Sequence, residues 1–83
     1  MNDKITKGIT VYELSLAAWL LTEKCEVIEF RRESPKRVAI VFLKTPKTER
    51  AITDYWNDIE VKLPIKTLFQ NYQQLKDRIY ATQ

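Results

Sequence analysis

The apolar positions of the first third of the chain predict one helix. Residues 11–24 have apolar side chains on nearly every side, which is typical of a helix buried on more than one face. Thr10 and Glu13 have the spacing of a capping box, and Ile9 and Leu14 are placed as a hydrophobic staple around it. We therefore expect a helix over residues 11–24, capped by Thr10, that either is the central helix of the domain or meets a partner on one side.

Two strands follow, at residues 26–32 and 37–43. The first alternates, and the second is rich in Val, Ile and Phe, which are residues that favour strands. Ser34 and Pro35 predict the turn between them, because proline fixes the backbone angle that such turns use. In a hairpin symmetric about this turn, the opposed pairs are Phe30 with Ala39, Ile28 with Val41, and Arg32 with Arg37.

The second half of the chain is predicted to be mainly helical. Thr45 and Pro46 form an N-cap followed by proline at the first helical position, and this helix ends near Asn57. Residues 59–63 alternate and suggest a short third strand, and the last helix follows through Tyr80. The predicted fold class is α+β, one domain over residues 1–83 with an ordered core at about 9–80. Its order is α-β-β-α-(short β)-α, with an antiparallel hairpin packed on the helices.

Composition narrows the function classes. The 83 residues contain no histidine and one cysteine, which excludes histidine-dependent nucleophiles, histidine metal sites and an intrachain disulfide. Asp54 and Asp58 lie four residues apart near the end of a predicted helix. Because no further metal ligands accompany them, this carboxylate pair is only a weak signal for a metal or acid–base site. The longest apolar run is too short to span a membrane, and the N-terminus does not resemble a signal peptide. We expect a cytoplasmic, non-enzymatic protein that uses no metal or cofactor and does not enter membranes.

The charge of the chain is concentrated in its middle. Residues 24–50 hold eight bases and four acids, so they carry +4, and the rest carries −1 of the total of +3. Such a segment can bind phosphate, a nucleic acid or an acidic protein surface. The alternative is a solvated ribbon whose arginines are neutralised by Glu29 and Glu33. The candidate anion-binding or nucleic-acid-binding residues are Arg31, Arg32, Lys36, Arg37, Lys44 and Lys47.

The second predicted strand is apolar on both faces, and a two-stranded hairpin leaves its edge open. The helices can cover both faces, a second copy can complete the sheet, or Phe42 and Phe30 can stack on unpaired bases. The expected self-association face, which would make a homodimer, is formed by Val38, Ile40 and Phe42. The aromatic residues on helical stripes are expected in the core, and they are Trp19, Tyr55, Trp56 and Tyr72.

Several segments of the chain carry a resemblance to a known family. They are the helical segment 12–21, the hairpin ending in Val41-Phe42, and Tyr55-Trp56-Asn57. With residues 75–79, they resemble a small prokaryotic and phage domain family of unknown function over about residues 10–80. Many members have Asp before the proline that opens the last helix, where this chain has Leu63. The resemblance implies the same order of elements and a prokaryotic or mobile-element setting.

Two functions are therefore expected. The first is a non-enzymatic binding or adaptor module that self-associates through its hairpin. The alternative is a small nucleic-acid-binding accessory protein of a phage or mobile element that uses the basic hairpin.

Overall fold

In the computed structural model, helices and strands follow the order β-α-β-β-α-α over residues 7–58 and 63–81, the residues that the structure describes. The α+β class is confirmed. The short strand predicted at 59–63 lies outside the described residues except for Leu63. Within the described ranges, no helix is both long enough and apolar enough to cross a membrane. The elements are β1 Gly8–Val11, α1 Leu14–Thr22, β2 Val27–Ser34, β3 Arg37–Leu43, α2 Pro46–Trp56 and α3 Ile65–Ala81.

Strand β1 occupies the position where the sequence predicted a helix start. Thr10 lies inside this strand and pairs with Val41. Glu13 is the N-cap residue of α1, with an extended backbone (φ −84°, ψ 123°) and no side-chain capping hydrogen bond. The predicted capping box and staple are therefore wrong. The β-branched residues Ile9 and Val11 instead extend the sheet, which suits their stiff side chains.

The sheet is antiparallel with strand order β1-β3-β2, so β3 is its central strand. The free edge that a hairpin alone would leave on β3 is paired with β1 of the same chain. This pairing removes the physical reason for a second copy to complete the sheet there.

The register of β2 against β3 differs from the symmetric prediction. Phe30 pairs with Ile40, and Arg32 pairs with Val38 rather than with Arg37. The register shifts between Val27 and Glu29 and again between Arg32 and Ser34, so each irregularity adds one residue to β2. The predicted like-charge pair of Arg32 and Arg37 is therefore wrong.

The core lies between the sheet and the helices. Ile40 and Phe42 are fully buried against α1, whose Ala17 and Leu20 are buried as well. Helix α1 contacts both α2 and α3, which confirms its central position. Val38, Ile40 and Phe42 are 8%, 0% and 0% exposed, so the predicted self-association face is wrong because this side of β3 is the inner side of the sheet. For the same reason Phe42 cannot stack on bases.

Local capping fixes the ends of α1 and α2. The Thr45 hydroxyl oxygen accepts from the Thr48 amide at 3.1 Å, which confirms the predicted N-cap of α2. At the end of α1, Lys24 has a left-handed backbone (φ 69°), and the Cys25 amide donates to the Leu20 carbonyl at 2.9 Å. This is a Schellman motif with lysine where glycine is preferred.

Candidate functional site

The arginines on the outer face of the hairpin are held in contacts with their own sheet. The Arg31 guanidinium pairs with Glu29 at 3.2 Å and with Glu33 at 3.4 Å. The Tyr12 hydroxyl donates to Glu33 Oε1 at 2.9 Å, and the Arg37 guanidinium carbon lies 3.9 Å from the centroid of the Tyr12 ring. The hydrogen bond to Glu33 raises the pKa of Tyr12 above its ordinary value. The outer face therefore carries a connected network of opposite charges.

Arg32 points to the helical side of the sheet and binds backbone carbonyls. Its Nη1 donates to the carbonyl oxygens of Ser34 at 3.1 Å and Pro35 at 2.9 Å, and its Nη2 donates to that of Ile79 at 3.1 Å. These contacts hold the hairpin turn against the last turn of α3. The role that the geometry supports for Arg32 is structural.

The three candidate lysines are spread along the molecule. Lys36 lies at the hairpin turn, exposed, and no carboxylate in the described part of the chain pairs with its ammonium group. Lys44 and Lys47 lie beyond the other end of β3, roughly 20 Å away by strand rise. Lys44 pairs with Glu49 at 3.6 Å, and the Lys47 ammonium donates to the Lys24 carbonyl at 3.4 Å. The structure therefore does not bring the six candidate basic residues together.

A second candidate site is a groove between the three helices. Helices α2 and α3 both pack on α1 but make little contact with each other, so α1 forms the floor between them. The small side chain of Ala18 deepens the floor, and the cavity there has a volume of about 340 Å³. We call this cavity the aromatic groove, and it is lined by Ser15, Ala18, Trp19, Tyr55, Leu68, Phe69 and Tyr72.

Aromatic contacts set the shape of one wall of the aromatic groove. The Trp19 and Tyr55 rings meet edge to face, with centroids 5.7 Å apart and planes at 70°. The Tyr55 ring also meets the Trp56 ring edge to face at 5.2 Å, so the indole of Trp56 stands directly beside the groove. Edge-to-face pairs of this kind are favourable and orient the rings.

Three polar groups lie together at the edge of the aromatic groove. The Ser15 and Tyr55 hydroxyl oxygens are 2.9 Å apart, and both hydroxyls lie 3.3 Å from Glu13 Oε2, which can accept from each. The carboxylate stands at the N-terminus of α1, where a negative charge is favourable. The groove thus combines apolar walls with a hydrogen-bonding cluster at one side.

A family model described as a domain of unknown function (DUF5659) matches residues 6–81. The chain belongs to the DUF5659 family. This confirms the resemblance to a small family of unknown function, whereas the prokaryotic or phage setting stays a prediction. Neither a curated protein nor a solved structure matches the chain significantly.

The aromatic groove of this DUF5659 domain was missed by sequence reasoning. Trp56 and Tyr72 were expected in the core, yet they are 64% and 38% exposed, so that prediction is wrong for both. Ile65 and Phe69 on α3 are 64% and 68% exposed. The sequence signal that could have revealed this exposure was the width of the apolar stripe on α3. The consecutive residues Leu68 and Phe69 point about 100° apart around the helix axis, so one packed neighbouring helix cannot cover both.

Cysteine and carboxylate side chains are the groups that a metal or thiol site of this DUF5659 domain would use. No group of three histidine, cysteine, aspartate or glutamate side chains within it is arranged to hold a metal ion. Cys25 is a free thiol and is buried, at 7% exposure. The aromatic groove combines apolar walls with hydrogen-bonding groups at its edge, and both are features of ligand and partner sites in proteins.

Proposed function

We propose that this DUF5659 domain is a non-enzymatic protein-interaction module that docks an apolar segment of a partner protein in the aromatic groove. The observation that carries the proposal is the concentration of exposed apolar side chains in the aromatic groove (Phe69), against its wall (Trp56, which contacts Tyr55) and one helical turn from it on α3 (Ile65). Trp56, Phe69 and Ile65 each keep more than three-fifths of their surface in water in the described structure. Exposed apolar clusters of this kind are typical of interaction sites.

The size of the apolar surface supports protein docking. An aromatic side chain has about 150–250 Å² of surface, so the exposed fractions of Trp56, Phe69 and Tyr72 amount to on the order of 250–450 Å². This is comparable to the largest patch on a typical monomer, which is often functional. Covering it would gain roughly 6–11 kcal/mol at about 25 cal/mol per Å², before the entropic costs of association.

The shape of the aromatic groove favours an amphipathic helix or the end of one. Helices α2 and α3 lie on either side of a cleft whose floor is α1, and another helix can lie between their side-chain ridges. The walls would take apolar anchors, and the Glu13 carboxylate would accept a hydrogen bond from the partner. A partner segment with aromatic anchors and a donor group fits both features.

Nucleic-acid binding by the basic hairpin has less support. The three hairpin arginines already contact groups of the same chain. Arg31 pairs with carboxylates, Arg32 donates to backbone carbonyls, and Arg37 lies over an aromatic ring. A phosphate backbone would have to displace these contacts. Titration of labelled single-stranded DNA, duplex DNA and RNA at several salt concentrations addresses this alternative, because tight binding that weakens steeply with salt would favour it.

The experiment that tests groove docking is selection of binders from a displayed library of amphipathic helical peptides. The Trp56→Phe variant leaves Trp19 as the single tryptophan, so its fluorescence reports on the groove wall. We expect selected peptides to quench or shift this emission and to lose binding when Phe69 is replaced by lysine. Tyr80→Ala is the matched control, because Tyr80 is 64% exposed and does not line the groove. Selected peptides that bind Phe69→Lys unchanged would contradict the proposal.

A further inference from the structure

We infer that the occupant of the aromatic groove is a second copy of this chain, with Trp56 of each copy inserted into the groove of the other. This inference rests on the proposed function and names its partner. The inner face of β3 is not available as the interface, since Val38, Ile40 and Phe42 are buried within one chain. The groove side of the helices exposes Trp56, Phe69 and Tyr72 and is available for contact.

The first argument is that a projecting side chain and a cavity lie side by side. Trp56 is 64% exposed at the end of α2, and its ring contacts Tyr55, which lines the groove. A two-fold dimer uses the same patch on both copies, so a projection on one must meet a recess on the other. A cavity of about 340 Å³ with mostly apolar walls is large enough for an indole ring.

The second argument is chemical complementarity. An indole has an apolar body and one N–H donor, and buried tryptophans usually find an acceptor for that donor. At the edge of the groove, Glu13 Oε2 can accept from Ser15 and Tyr55, whereas Glu13 Oε1 has no donor in the described part of the chain. The inserted Trp56 would donate to Oε1 while its ring covers Phe69 and Tyr72.

The third argument concerns area and predicts the strength of the dimer. Two copies together expose on the order of 500–900 Å² of aromatic side-chain surface at this patch. Stable interfaces bury about 1,200–2,000 Å² in total, and transient ones bury less. The dimer is therefore a weak one that forms at micromolar or higher concentrations.

Sedimentation analysis over about 1 µM to 1 mM protein tests the inference, since this range brackets a transient interface. The wild-type chain is expected to show a reversible monomer–dimer equilibrium. Trp56→Ala should weaken the dimer roughly 30-fold, as for a tryptophan at an interface centre. Tyr80→Ala, which removes an equally exposed aromatic ring outside the groove, should leave the equilibrium unchanged. Circular dichroism of each variant checks that the helices are intact.

Mixing two variants tests the geometry. Trp56→Ala keeps the groove and lacks the projection, whereas Phe69→Lys keeps the projection and damages the groove. Each variant alone should dimerise at least about 30-fold more weakly than the wild type, whereas an equimolar mixture should form a heterodimer more readily than either variant forms a homodimer, because the heterodimer keeps one of the two contacts. A monomeric wild type, or a Trp56→Ala variant that dimerises normally, would overturn the inference. Peptide binding by a monomeric wild type would still support the proposed function, so the two failures are distinguishable.

Discussion

Arg32 Nη2 donates a hydrogen bond to the Ile79 carbonyl at 3.1 Å, across 47 residues of sequence. The carbonyls of the last helical turn lack partners within the helix, and a cation there also opposes the negative end of the helix dipole. The second nitrogen of the same guanidinium binds the carbonyls of Ser34 and Pro35 in the hairpin turn. One side chain thus joins the turn of the hairpin to the end of α3.

We expect Arg32→Ala to destabilise the fold by about 1.5–3 kcal/mol, the range for hydrogen bonds to a charged group. Removal of the guanidinium leaves a part-buried helix end and the hairpin turn without their donor. Chemical denaturation measures the effect, with Lys36→Ala as the control because Lys36 is an exposed base in the same hairpin. Equal stability of the two variants would show that the Arg32 contacts contribute nothing net.

A charged residue at position 40 should unfold the protein. Ile40 is fully buried between Val11 on β1 and Phe30 on β2, and a buried unpaired charge is costly. We expect Ile40→Lys to lose the cooperative thermal transition seen by circular dichroism. Ile40→Val is the matched control and should cost only about 0.5–1.5 kcal/mol. A folded, monomeric Ile40→Lys variant would contradict the burial of Ile40 and would show that this side chain lies at the surface.

Several elements of the fold could be predicted because their signals are local. The cap of α2 depends on Thr45 and the adjacent Pro46, and the hairpin strands depend on alternation in β2 and on the Val, Ile and Phe residues of β3. Strand β1 could not be recognised in this way, because Ile9 and Val11 become a strand only through pairing with Phe42 and Ile40 of β3, which are 33 and 29 residues later. The register failed for a similar reason, since the irregularities of β2 depend on packing and not on the turn.

The candidate site was harder to predict than the fold. Charge density identifies Arg31, Arg32 and Arg37 but does not reveal that each contacts its own chain. An apolar stripe likewise predicts burial without showing whether a neighbour covers it. Trp56 and Phe69 are exposed because α2 and α3 both pack on α1 and make little contact with each other, a tertiary feature that periodicity does not encode.

The close approach of β1 to β3 requires glycine at position 8. A Cβ atom on Gly8 would collide with Val41 Cγ1 and would come within 3.4 Å of Ile28 Cδ1. We expect Gly8→Ala to destabilise the fold by about 1–3 kcal/mol, the usual cost of overpacking. In the double variant with Val41→Ala the collision is removed, so the two effects should be less than additive. Denaturation of all four members of this cycle measures the coupling, and strict additivity would contradict it.

The end of α1 offers a stabilising substitution. Lys24 adopts a left-handed backbone, which costs a residue with a Cβ atom about 1–2 kcal/mol and costs glycine little. We expect Lys24→Gly to raise the free energy of unfolding by about 0.5–1 kcal/mol after the greater entropy of the unfolded glycine chain is subtracted. Lys24→Ala is the control, because it removes the charge and keeps the Cβ atom. A gain in the alanine variant equal to that in the glycine variant would attribute the effect to charge.

The Tyr12 phenol should ionise above its ordinary pKa. The hydrogen bond to Glu33 Oε1 favours the protonated phenol and raises this pKa, although nearby Arg37 and Arg31 act in the opposite direction. A group whose pKa is raised by folding contributes stability that is fully present below its unfolded pKa of about 10 and is lost as the pH rises through the folded pKa. The hydrogen bond therefore stabilises the fold at neutral pH and ceases to do so in strong alkali.

NMR titration of the Tyr12 ring signals measures this shift directly. In Glu33→Gln the carboxylate charge is absent and the acceptor is weaker, so the Tyr12 pKa should move down toward the ordinary value. Glu29→Gln is the control, because Glu29 pairs with Arg31 and makes no hydrogen bond to Tyr12. The alkaline decline in stability should begin at the same pH in wild type and Glu29→Gln. A Tyr12 pKa that is equal in wild type and Glu33→Gln would show that the hydrogen bond is not maintained in solution.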